Sequence, residues 1–253
     1  MAKAKDILQF IESIAPRELK MDWDNVGLLC GRSDKEVSTV LVALDPFPHV
    51  CDEAVAVGAD LLVTHHPLIF EGLKAVTDKT TVGQAIMKLI GSDIAAINAH
   101  TNLDCAEGGV NDTLAQLLGL ADISVIGSEH LLRAGRYESS LPDFLELVKT
   151  RLGCEGLRYV DGGRPVSKVA VGGGSCGSEL MEVIEAGCDT FVTADVKYNQ
   201  FWDAKAFGIN LIDAGHFQTE NPVCAVLAEK LQAAFPEIKV ILSKSHTDCM
   251  KFY

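Results

Sequence analysis

Three short segments concentrate residue types that can bind a divalent metal ion: Thr64-His65-His66-Pro67, His100-Thr101-Asn102-Leu103-Asp104 and His216-Phe217-Gln218-Thr219-Glu220. Adjacent residues of extended backbone point in opposite directions, and Pro67 biases His66 toward that state. The two imidazoles are therefore expected to serve two metals on either side of a strand end. In the second segment Asp104 supplies an anionic ligand, with His100 and Asn102 as outer groups that orient it. In the third, the four-residue spacing puts His216 and Glu220 on one face if the stretch is helical. Each segment alone also fits a plainer reading: two surface histidines in a loop, an Asx-type turn before the helix at Val110, and a cap for the helix near Pro222. Their coincidence favours chemistry, because all three follow predicted buried strands.

Three histidines and two carboxylates, with no thiolate, suit Zn, Mn, Fe, Co or Ni better than Ca or Mg. Two divalent ions against two carboxylates leave a local surplus of about two positive charges, which acidifies a bound water and attracts an anionic small-molecule substrate. Glu220, a carboxylate able to bridge two ions, is the expected centre of that chemistry.

The elements that must position these residues read as α/β. Residues 4–14 carry Ile7, Leu8, Phe10, Ile11 and Ile14 at helical spacing, ended by Pro16. Thr39–Leu44 predicts a buried strand, His49–Gly58 a helix and Asp60–Thr64 a second buried strand. A constant offset of 129 residues lays Ser38–Thr64 over Ser167–Thr193, with Val40 over Val169, Gly58 over Gly187 and Asp60 over Asp189. Each copy leads to a third apolar strand, Ile94–Asn98 or Ile209–Asp213, and then to a histidine. Val110–Leu118 and Leu141–Leu152 predict helices, and Leu157–Val160 a strand. The expectation is two related α/β lobes from an internal duplication, approximately 1–127 and 128–253, packed as one unit with ligands beyond the carboxyl ends of the strands.

Composition narrows the function classes. A net charge of −13 over 253 residues excludes a broad basic surface, so no nucleic-acid partner is expected. No run approaches the ~18 apolar residues of a membrane span, and the N-terminal stretch has no uninterrupted apolar region of a signal peptide. A cytoplasmic location is expected, with the eight separated cysteines as reduced thiols packed like small apolar residues.

The segments DNVGLLCG (24–31), LLVTHHPLIF (61–70), INAHTNLDCAEGGVND (97–112), VAVGGGSCG (169–177), TADVKYNQ (193–200) and LIDAGHFQTENP (211–222) resemble, in order and spacing, the Nif-three-like (YbgI-like) family, also called GTP cyclohydrolase 1 type 2. The resemblance covers nearly the whole chain. It implies a dinuclear metal centre on His65, His66, Asp104, His216 and Glu220, two α/β lobes without the domain that some members insert between them, and assembly into a homohexamer. Where many relatives read GDxxYH, this chain has Asn199 in place of the histidine, so a proton transfer made by that histidine is here either carried by another group such as His100 or absent. The expected activity is metal-dependent hydrolysis, with GTP or another phosphate-bearing molecule as substrate.

Two other readings compete. The metals could instead support a non-enzymatic regulatory or metal-handling assembly. Alternatively, Gly172-Gly173-Gly174-Ser175-Cys176-Gly177 matches GxGxxG, and Asp195 follows about where a ribose-binding acid stands in an NAD-dependent oxidoreductase. The first-copy turn lacks glycines, and a nicotinamide enzyme does not account for the metal-ligand set. The role expected of the glycine turn and the helix start after it is to form part of the pocket wall or to hold an anionic substrate group.

Overall fold

In the computed structural model, which describes residues 2–253, the chain divides into two α/β units, Met1–Glu107 with Val223–Thr247 and Gly108–Pro222 with Asp248–Tyr253. The first begins with α1 (Ala4–Ile14), β1 (Gly27–Cys30), β2 (Thr39–Ala43), α2 (Pro48–Ala56), β3 (Leu61–Thr64), α3 (Thr81–Gly91), β4 (Ala95–Asn98) and α4 (Thr101–Cys105). The second holds α5 (Val110–Leu117), β5 (Ala121–Ile126), β6 (Leu132–Ser139), α6 (Leu141–Leu152), β7 (Arg158–Val160), β8 (Val166–Val171), α7 (Leu180–Glu185), β9 (Thr190–Thr193), α8 (Tyr198–Phe207), β10 (Asn210–Asp213) and α9 (His216–Glu220). Then α10 (Pro222–Ala234) leads back to β11 (Lys239–Leu242), which joins the first sheet.

The first sheet runs β1-β4-β3-β2-β11, with β1 antiparallel and the other four parallel. The second runs β5-β6-β8-β9-β10-β7, with β8, β9 and β10 parallel and the rest antiparallel. Every residue of β3, β4, β9 and β10 is buried, which is why these strands read as unbroken apolar runs and not as alternating ones. Ile7 and Ile11 of α1 are buried on one face, and Asp6 accepts a hydrogen bond from the Lys3 amide at its start. Helix α6 opens on Ser140, whose hydroxyl accepts from the Asp143 amide, and closes on Gly153 at φ +67°.

The unit boundaries differ from the sequence expectation of 1–127 and 128–253. The second unit opens at Gly108, because Leu114, Ala115 and Leu118 of α5 and its end pack into the core formed with Phe144, Val169 and Val192. Residues 223–247 belong to the first unit, because β11 pairs with β2 in the register Lys239↔Thr39 to Leu242↔Val42. Two strands some 200 positions apart leave no local signal of their pairing.

The internal repeat is present in the strand registers. Val40 pairs with Leu61 in the first sheet and Val169 with Thr190 in the second, and Val42 with Val63 matches Val171 with Val192, all at the offset read from the sequence. Both copies close the amino ends of these strands with one device. Asp60 accepts from the amides of Ser38 and Thr39, and Asp189 from those of Ser167 and Lys168.

Candidate metal centre

In the first unit, β3 ends at Thr64 and the backbone bends at His65 and His66. The alternation of extended chain therefore stops before the histidines, and the expectation that their rings diverge is corrected: the ring centroids lie 4.9 Å apart. The bend is held by the Thr64 hydroxyl, which donates to His66 O at 2.8 Å, and by the His66 amide, which donates to Leu44 O at 2.9 Å. His100, just beyond β4, brings its ring to 5.2 Å from that of His65 and 5.6 Å from that of His66. Ligand atoms of His65, His66 and His100 all lie within 4.8 Å of one another.

Each ring has its Nδ1 taken by an oxygen. His65 Nδ1 lies 2.9 Å from Ala99 O, and a carbonyl only accepts, so in the neutral ring Nδ1 carries the proton and Nε2 the lone pair. That Nε2 faces Asp104 Oδ1 at 3.5 Å, with the His65 side chain fully buried. His66 Nδ1 meets Asp45 Oδ1 at 2.6 Å, and His100 Nδ1 meets Asp24 Oδ1 at 2.9 Å. Burial raises the pKa of both aspartates, but hydrogen bonds outweigh it, from His246 and His66 on Asp45 and from His100 and Thr101 on Asp24. Both are held well below the usual carboxylate range. As ionised acceptors they fix their histidines in the same Nδ1–H form.

Helix α4 places Asp104, which is buried, and is anchored elsewhere. Asn102, expected to help orient a metal, instead donates its side-chain amide to Ala15 O at 2.7 Å and pegs α4 to the end of α1. Asp24 accepts the Thr101 amide at 3.0 Å and so caps α4 while holding His100.

In the second unit, α9 supplies the helical curvature expected of the third segment, and His216 Nε2 lies 3.0 Å from Glu220 Oε2. His216 Nδ1 meets Asp195 Oδ2 at 2.7 Å. Asp195 sits just past β9 at φ +51°, a left-handed conformation uncommon outside glycine that aspartate tolerates better than most residues. Thr219 does not cap α10. Its hydroxyl accepts from the Gly174 amide at 3.0 Å and lies 2.9 Å from Gly215 O, while Glu220 is buried.

The glycine-rich turn serves this packing. A Cβ at Gly174 would fall 2.0 Å from Glu220 Oε1 and 3.1 Å from His216 Nε2, at φ +62°. Four of its six amides are engaged within the unit: Gly172 to Val192 O, Gly173 to Asn111 Oδ1, Gly174 to Thr219 and Cys176 to Gly174 O. The turn therefore offers no row of amides to a phosphate, and it leads into a single 3₁₀ turn and the six-residue α7 where a dinucleotide fold needs a long helix. Asp195, read as a ribose-binding acid under that alternative, is occupied by His216.

The donor groups of each unit, taken by itself, are of types that can hold a divalent metal ion. Four histidines each have Nδ1 on an oxygen and leave Nε2 as ligand atom, the arrangement by which ligating imidazoles are oriented and made more basic, and Asp104 and Glu220 lie beside two of those nitrogens.

Comparison with known proteins places the chain. The family model of Duf34/NIF3 (NGG1p interacting factor 3) matches residues 2–249. The chain belongs to this family. A GTP cyclohydrolase 1 type 2 homolog of Clostridium perfringens is 37% identical, with 99% of each chain covered. Among solved structures, a Bacillus cereus protein related to NIF3 superposes with a TM-score of 0.93 at 27% identity, covering 100% of this chain and 99% of that one. Reduced HcgD from Methanocaldococcus jannaschii gives 0.85 at 31%, covering 96% and 98%.

The supporting residues Asp24, Asp45 and His246 have no role in the sequence reading, and Asp195 enters it only as the ribose-binding acid of the NAD alternative. Asp24 and Asp195 stand inside the family-like segments DNVGLLCG and TADVKYNQ, which was their available signal. Asn199, where many family members carry histidine, is exposed in the first turn of α8. Seven cysteines are buried and Cys249 is exposed, and among the described residues no helix is long and apolar enough to cross a membrane.

Proposed function

We propose that the chain binds two divalent metal ions through His65, His66, Asp104, His216 and Glu220 and acts as a metal-dependent hydrolase on an anionic, phosphate-bearing small molecule. The observation that carries this reading is the common state of the histidines, each with Nδ1 engaged by oxygen. Surface histidines in a loop have no reason to share it. Bound ions would supply Lewis acidity and lower the pKa of a water. The residues' own parts follow from their chemistry. His65, His66 and His216 donate Nε2 lone pairs, and Asp104 and Glu220 offset part of the positive charge. Asp45 and Asp195 keep the rings from turning. His100, held the same way by Asp24 within reach of His65 and His66, is positioned to accept or return a proton through Nε2, or to take a ligand position itself.

Assignment of both donor groups to one centre rests on their chemistry and on the family resemblance. The shared name of the curated relatives puts GTP first among substrates to try, and self-association into a hexamer belongs to the same proposal. The test is turnover by metal-loaded protein on GTP and a panel of phosphate esters. Hydrolysis that chelation abolishes and metal restores is the expected result. Full metal occupancy with no turnover on a broad panel would favour the regulatory or metal-handling reading.

A further inference from the structure

Three neighbouring parallel strands, β3, β2 and β11, deliver one side chain each to a single hydrogen-bonded row. Beyond β3 stands His66, beyond β2 Asp45, and beyond β11 His246. His66 Nδ1 is 2.6 Å from Asp45 Oδ1, and His246 Nε2 is 2.8 Å from Asp45 Oδ2. One carboxylate therefore accepts from two imidazoles, one oxygen each. The His246 side chain is only 5% exposed. It packs edge-on to Phe47, with centroids 6.0 Å apart, and 5.8 Å from the ring of His49.

The segment that carries His246 is itself tied down. The Ser243 amide donates to Val42 O and so continues the β11–β2 pairing by one residue. Glu53 of α2 then accepts from the hydroxyls of Ser243 and Ser245 and from the amides of Lys244 and Ser245. Four hydrogen bonds to one carboxylate on a tail that contributes no ligand need a reason, and the residue they deliver supplies it.

We propose that His246 is a positioning residue that, through Asp45, fixes the His66 ring so that Nε2 is the atom presented to a metal ion. Without His246, Asp45 has one acceptor oxygen unengaged by this row and can rotate, and the His66 ring loses its fixed acceptor. The metal half of the proposal rests on the function proposed above; the ring-orientation half does not.

The test uses the full chain with His246→Leu, which keeps bulk and removes the donor, and His246→Gln, whose terminal amide can reach Asp45 as Nε2 does. Nitrogen-15 NMR of the histidine rings in metal-free protein reports the tautomer, and competition titration with zinc ions reports affinity. Wild type and His246→Gln should show a single Nδ1–H form of His66. His246→Leu should show a tautomer mixture and bind zinc roughly tenfold more weakly, with Gln restoring most of the loss. If His246→Leu does not fold, His246→Asn, too short to reach Asp45, takes its place. Unchanged His66 signals and unchanged zinc affinity in the variant lacking the donor would overturn the proposal. Wild type with a fixed His66 ring but no zinc uptake would overturn the metal half and the proposed function together, while leaving the orientation half standing.

Discussion

The two copies share a strand register and diverge in what they carry at the strand ends. At the offset of 129 residues, Asp45 corresponds to Gly174 and His66 to Asp195. In the first unit the holder follows the first strand of the copy and the histidine follows the second. In the second unit the first position is emptied to a glycine that admits Glu220, the second becomes the holder, and the histidine moves to the helix beyond the third strand, as His216. The duplicated scaffold thus fixes where side chains emerge, while their roles were redistributed. The surroundings differ too. Asp45 lies between two histidines with its side chain 18% exposed and β11 completing the row, whereas the Asp195 side chain is 48% exposed. On the far side of β8 the neighbour is antiparallel β6, whose buried Arg133 pairs with Asp112.

The largest expected effect falls on a ligand. Glu220→Gln nearly preserves shape while removing a charge, and should lose roughly 100-fold or more in metal affinity, since changes one step further out already cost about 10–100-fold. Isothermal titration with zinc checks this. Full affinity in the variant would remove Glu220 from the donor set.

Asp45→Ala and Asp195→Ala break the comparison directly. The first leaves two imidazoles facing a partly buried gap and should lower stability by about 1–3 kcal/mol; the second, at an exposed pair, by less than about 1 kcal/mol. Urea denaturation of both variants measures the difference, and equal losses would mean that the two holders are equivalent after all.

Gly174→Ala and Gly58→Ala sharpen the reading of the glycine turn. Both positions have positive φ, but only at Gly174 does the added carbon strike a carboxylate, with nothing within 4 Å at Gly58. The expected costs are about 2–3 kcal/mol against about 1 kcal/mol, and metal affinity should fall only in the first.

The smallest effect concerns the tail that carries His246. Burial raises the Glu53 pKa, but hydrogen bonds from Ser243, Ser245 and the Lys244 amide outweigh it and lower it to about 2. A depressed carboxylate contributes stability that is complete above its ordinary value and fades as pH falls through the folded one. Wild type should therefore lose stability relative to Glu53→Gln as pH drops from about 4.5 to about 2. Parallel stability curves for the two proteins would show that Glu53 does not hold the tail.

Much of this was legible in the chain. Helix α6 was expected at Leu141–Leu152 and lies there, and β2, β3, β4, β9 and β10 fall within or beside their predicted runs, because strands buried on both faces are written as unbroken apolar residues. The β5–β6 hairpin was not anticipated, since the buried half of β6 contains Arg133, a charged residue inside a core run. The converging histidine rings are not legible from the rule for extended chain, because β3 ends at Thr64 and the backbone bends at His65 and His66. Asp45 and His246 escaped because their relation is made by strand neighbours distant in sequence, which no spacing encodes.

The central claim is that these side chains are built to hold metal. Elemental analysis of the purified full chain, stripped with chelator and reloaded with zinc, manganese or iron, tests it most directly. Close to two ions per chain is the predicted result, with a melting temperature raised on loading because the ions bind only the folded state. No bound metal after reloading, in protein shown to be folded, would contradict it.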